Sequence, residues 1–252
     1  HTPEEFLECC RVFKENGIET PVGANRWWLE NFVFALAYAD LYNGGTAEEE
    51  IEALNRGEKK YSDYLRPGFM FLKELMDKGY VDAETAYTYE AIEGEGPDFL
   101  AQKTPIVMAY WGAANTVTAY GAPDFTKVIG FPSSRGQMPV ISMTGYGIVA
   151  DAENRENTIK VLDSILSDES LQVYSEKNRV ISPSKNVEVE CIPALQPLNN
   201  RVKENIYVLG SNAGMKLEQW GNVCILVRNL MSGATVDECM EELDRLQEET
   251  LK

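Results

Sequence analysis

The chain has 252 residues, 44% hydrophobic and 25% charged, the make-up of an ordinary soluble globular protein with enough length for one large core or two smaller lobes. Its formal charge of −17, from 40 acidic against 23 basic residues, opposes nucleic acid and anionic membrane surfaces, which are gripped by Lys and Arg. The single histidine, His1, leaves Ser-His-Asp and Cys-His catalysis without a base and His-ligated metals without ligands.

Thr2-Pro3-Glu4-Glu5 starts a helix, with Thr2 and Glu5 as a capping box and Pro3 at the first helical position. Phe6, Cys10 and Phe13 share a face, and Asn16-Gly17 ends it. A long apolar helix is expected from about Trp27 to Tyr42, closed by Asn43-Gly44-Gly45. Thr46 to Glu49 reads as a second capping box, opening a short acidic helix. A helix from about Tyr64 to Lys78 buries Phe69, Leu72, Leu75 and Met76. Thr104 to Tyr110 is an apolar run suited to a buried strand, broken by Trp111-Gly112. Lys127 to Phe131 and Gly147 to Ala150 are further candidate strands. Helices are expected over Asn154 to Leu166 and Glu169 to Glu176, and mostly loop over 180–200, where Pro183, Pro193 and Pro197 fall. Two helices close the chain: one from about Trp220 to Met231, and one capped by Thr235 and Glu238 that buries Val236, Met240, Leu243 and Leu246. Helices with a minority of short strands predict an α/β or α+β fold.

Few motifs carry chemistry. Gly145-Tyr146-Gly147-Ile148-Val149-Ala150 matches G-x-G-x-x-A, but the expected strand follows the glycines instead of preceding them, so the phosphate-binding geometry is not predicted. Acidic residues are numerous enough for a glycosidase carboxylate pair, yet most lie in caps or on helical faces, and none stands in an apolar context. The five cysteines form no C-x-x-C pair, and Cys224 and Cys239 fall in apolar patterns as small hydrophobes. Of the four tryptophans, Trp111 follows a strand end and Trp220 opens a helix. Both positions suit ligand contact, and sugar C–H faces stack on aromatic rings.

Taken together, these segments resemble the family 1 extracellular solute-binding proteins of ABC importers, the group that includes maltose-binding protein. Thr2 to Leu7 is similar to the family's T-x-E-E-[FIL] helix start, and Phe99 to Met108 to its F-x-x-G-K-x-A-M strand, which leads to a tryptophan, here Trp111. Phe131-Pro132 with Gly136, the crossing at Gly145 to Ala150, Ser167-Asp168-Glu169 and Ile181 to Lys185 resemble further family segments in order. Trp220 to Met231 and Gly233 to Glu238 resemble its terminal helices. The departures are Gln102-Lys103 for Gly-Lys, Cys239 for a small residue, and no glycine leading the Pro183 loop.

The resemblance implies an α/β, type II periplasmic-binding-protein-like fold of two lobes around a cleft, with the second lobe largely complete and the first partly present. It implies second-lobe segments at 1–143 and 196–252, and an excursion into the first lobe at 144–195. Because the resemblance begins part-way along the family's chain, a shortened or cleaved chain is expected, and no signal segment is visible at His1. By the same resemblance Trp111 and Trp220 match sugar-stacking tryptophans, and Trp27 with Asn25 and Arg26 lies where a further aromatic and polar contact falls. Tyr146, at the crossing, is another candidate. The implied function is non-enzymatic and needs no cofactor or metal. A monomer at the extracellular face or in the periplasm, lipid-anchored in its full-length form, captures a mono- or oligosaccharide. It then hands the sugar to an ABC permease and its ATPase. Two alternatives stand beside this reading: a same-fold receptor for a polyamine or other small solute, and a carboxylate-dependent glycosidase.

Overall fold

The computed structural model describes residues 1–89, 92–141, 145–210 and 214–252. α1 (Pro3–Glu15) begins as its sequence directs: the Thr2 hydroxyl accepts the Glu5 N–H, and the Glu5 carboxylate accepts the Thr2 N–H at 3.0 Å. Both bonds satisfy donors that the first helical turn leaves unpaired. α2 (Glu30–Asn43) is the central helix, buried on nearly every side between Glu30 and Leu41. A helix apolar all round is stable only when neighbours surround it. α3 (Ala47–Arg56) forms, but the Thr46 hydroxyl makes no capping bond, which corrects the capping box expected there.

α4 (Tyr61–Asp77) starts earlier than its apolar pattern suggests and packs along α2. At their crossing Gly68 lies so near α2 that a Cβ would sit 2.5 Å from the Val33 Cα. Only glycine permits that approach. α11 (Gln219–Met231) and α12 (Val236–Thr250) complete this layer, and α12 carries the predicted Thr235–Glu238 capping box.

The strands are shorter than expected. β1 (Val22–Gly23) pairs in parallel with β2 (Ile106–Val107), and β3 (Val140–Ile141) with β4 (Val208–Leu209). Of the apolar run 104–110, only those two residues of β2 are strand. Lys127 to Phe131 contributes a single bridge, Phe131 to Met138, and Gly147 to Ala150 is neither strand nor helix. A strand exists only where a neighbouring backbone takes its hydrogen bonds, and among the described residues these segments have little such partner.

Several helices lie outside the sequence expectations: α5 (Ala83–Thr88), α6 (Ile92–Leu100) and α7 (Ala113–Ala119). Gly94, Gly96 and Pro97 interrupt any helical pattern in the α6 segment. The stretch read as loop at 180–200 holds a 3-10 turn (Pro193–Leu195) and the start of α10 (Gln196–Lys203). Pro193 and Pro197 occupy first-turn positions, where the missing N–H costs nothing, and Pro183 stays in irregular structure.

The main core is built from α1, α2, α4, α11 and α12 around Phe32, Phe34, Tyr38, Leu65, Phe69 and Leu72. A second, smaller core joins Ala114 to Ile181, Cys191, Ile192, Leu195 and Leu198. α8 (Arg155–Ile165) buries no residue, and with α9 (Asp168–Asn178) it leaves Val161, Ile165, Val173 and Tyr174 exposed. The expected boundary at 143/144 falls on residues outside those described.

Candidate ligand-binding site

The parallel pairing of β1 and β2 fixes where two loops leave the sheet. Val22 sits opposite Ile106 and Gly23 opposite Val107, so both chains leave the sheet at the same edge. The Met108 N–H still bonds the Gly23 carbonyl at 3.0 Å. Beyond it, one chain runs into Asn25, Arg26, Trp27 and Trp28, and the other into Tyr110 and Trp111. The carboxyl ends of parallel strands are where α/β folds present ligand-binding residues. The two segments touch there: the rings of Trp28 and Tyr110 are 6.1 Å apart.

Three aromatics at this edge meet solvent: Trp27 is 38% exposed, Trp111 40% and Tyr110 50%. Trp27 lies under two guanidinium groups, Arg26 at 5.3 Å and Arg228 at 4.9 Å from the ring centre. Arginine over an indole face is a favourable cation–π contact. Asn25, by contrast, is fully buried, and its side chain is spent inside the protein. Its amide donates to Glu95 at 2.6 Å, and its oxygen accepts the Trp27 N–H at 3.0 Å. Asn25 thus shapes the loop that carries Trp27.

Trp220 stands at the end of the other sheet. Its ring packs beside Gly210, just past β4, where a Cβ would lie 3.0 Å from the indole. One face stacks on Phe34 at 5.8 Å and 17°, and the residue is half-buried against the main core. Tyr146 is 67% exposed in an irregular segment.

α2 and α11 run antiparallel along a ladder of paired side chains. Tyr38 donates to Gln219 at 2.6 Å, Phe34 stacks on Trp220, and Glu30 faces Cys224 and Arg228. Trp220, Cys224 and Arg228 are spaced four apart, which puts them on one helical face. Trp220 and Arg228 are therefore about 12 Å apart along that face, at 1.5 Å per residue.

Glu30 corrects the expectation that no carboxyl stands in an apolar context. It is fully buried, and burial pushes its pKa up to about 8, although Cys224 and Arg228 pull the other way. Its Oε2 has no hydrogen-bond partner among the described residues. Glu30 opens α2 directly after the Trp27–Trp28 loop, and in sequence it looked like one more first-turn acid. Arg228 and Tyr110 were also missed. Arg228 reads as a last-turn cation, and only the antiparallel packing of α11 on α2 brings it over Trp27.

Among the described residues, no group of three or more His, Cys, Asp or Glu side chains is arranged to hold a metal ion. None of their helices is long and apolar enough to cross a membrane. All five cysteines are free thiols. Cys224 and Cys239 are buried as expected, and burial raises the Cys239 thiol to about 11.

No family model and no curated protein matches the chain. Solved structures do. A chitin oligosaccharide binding protein aligns over 99% of this chain and 64% of its own, with a TM-score of 0.73 and 19% identity. A family 1 extracellular solute-binding protein from Bifidobacterium longum subsp. infantis aligns over 98% of this chain and 66% of its own, at TM-score 0.72 and 16% identity. A maltose/maltodextrin-binding domain from Bdellovibrio bacteriovorus, bound to maltotriose, aligns over 94% of this chain and 62% of its own, at TM-score 0.59 and 17% identity. These neighbours are binding proteins. The chain has the fold of family 1 extracellular solute-binding proteins, the periplasmic-binding-protein-like (type II) architecture its motifs resemble. It spans 64% and 66% of the lengths of the first two.

Proposed function

We propose that this chain is part of a sugar-capturing receptor of an ABC importer. It works at the extracellular face of the membrane or in the periplasm, delivers its cargo to a permease and performs no chemistry. The observation that carries the reading is the aromatic edge where β1 and β2 end. Trp111 is the leading platform there, because its exposed ring is engaged by no other ring or cation among the described residues. Trp27 with Arg26 borders it. Trp220, with one face held by Phe34, offers the opposite face further along α11. The fold and the sugar-binding neighbours support the same assignment.

Residues 1–143 and 196–252 form the second lobe in this proposal, and 144–195 the excursion into the first. The exposed apolar side chains of α8 and α9 support it, because such a surface ordinarily lies against another part of the protein. A polyamine receptor is less well supported. The groups lying over Trp27 are guanidinium ions, which would repel an ammonium ligand.

Titration calorimetry with a panel of mono- and oligosaccharides, putrescine and spermidine tests the proposal. Saturable heat with a sugar alone is expected. Binding of the amines alone, or hydrolysis of an oligosaccharide by the purified protein, overturns it.

A further inference from the structure

On a chain of formal charge −17, two guanidinium groups lie against the Trp27 ring. Arg228 sits 4.9 Å over the indole and donates from Nε to the Cys224 carbonyl at 3.2 Å, so its position is fixed from two sides. Its terminal nitrogens make no hydrogen bond, and it has no ion pair, among the described residues. Glu30, an acid that feels its charge, is fully buried, and burial raises its pKa to about 8. At neutral pH Glu30 therefore offsets little of the Arg228 charge. A guanidinium held by an indole and by one backbone carbonyl keeps its terminal N–H pair available for a planar, two-oxygen partner. A neutral sugar's hydroxyls can accept from it, but only a carboxylate also brings the opposite charge.

Building on the sugar-receptor reading, we infer that the cargo is an acidic saccharide whose carboxylate pairs with Arg228 while a ring of the same ligand stacks on Trp111. Arg228 is then a specificity residue, and Trp27 is the surface that holds it in place. An overall negative protein that binds an anion needs such a local cation, because the remaining surface field opposes approach.

The test uses matched pairs that differ only at C6: glucose with glucuronate, galactose with galacturonate, and the digalacturonate disaccharide with its methyl ester. Calorimetry is run on the protein and on Arg228→Gln and Arg228→Lys, with thermal melting as a check of folding. The expected result is at least tenfold tighter binding of the acid in one or more pairs. That preference should vanish in Arg228→Gln and survive in part in Arg228→Lys. Equal or tighter binding of the neutral member in every pair that binds overturns the inference and leaves the sugar-receptor reading standing. An acid preference that persists undiminished in folded Arg228→Gln also overturns it. If no member of any pair binds, nor any sugar in the wider panel, both readings fail together.

Discussion

Trp111 and Glu30 show how differently single residues contribute here. Trp111 is exposed and makes no ring or cation contact among the described residues, so in the proposed site Trp111→Ala would remove a ligand contact at little cost to folding. Sugar affinity is expected to fall at least tenfold, about 1.4 kcal/mol, with an unchanged melting temperature. Glu30 acts on stability instead. Its ordinary pKa of 4.5 rises to about 8 in the fold, so the folded state holds a proton that the unfolded chain has already released. Its contribution is fully present below about pH 4.5 and is lost as pH climbs to about 8. Melting curves of wild type and Glu30→Gln should therefore diverge across that interval, with wild type losing stability relative to the variant. A constant difference from pH 4 to 9 would show that the carboxyl is not held protonated. The sequence singled out Trp111 because an expected strand end precedes it. It hid Glu30, since an acid in a first turn is the commonest place for one, and burial there follows from α11 packing over it.

At the scale of elements, the helices were legible where local chemistry decides them. The Thr2–Glu5 and Thr235–Glu238 boxes form as read, whereas the identical pattern at Thr46–Glu49 does not. The two cases predict opposite outcomes. Thr235→Ala should cost about 1 kcal/mol, and Thr46→Ala little, when both are compared by urea denaturation. The strands were less legible, because an apolar run reports burial and not whether a partner strand lies alongside. The antiparallel ladder of α2 and α11 was invisible for the same reason: it joins residues far apart in sequence. Phe34→Ala tests that ladder. It removes a fully buried ring and the support beneath Trp220, and a loss of about 3–5 kcal/mol is expected. A loss under 1 kcal/mol would mean the stack contributes little.

At the scale of the whole molecule, stability should be uneven. α2, α4, α11 and α12 share one core, while α8 buries nothing. Amide exchange is expected to be slowest in α2 and fastest in α8 and α9, in line with local burial. The same unevenness bears on function. A chain spanning about two thirds of the length of its structural neighbours presents one edge of aromatic and cationic side chains, and binding to that edge is the central claim. It is tested most directly by calorimetric titration of the protein and of Trp111→Ala with the tightest-binding saccharide of the panel. Saturable binding by wild type and at least a tenfold weaker constant for a normally folded Trp111→Ala are expected. Identical constants for the two proteins would contradict it.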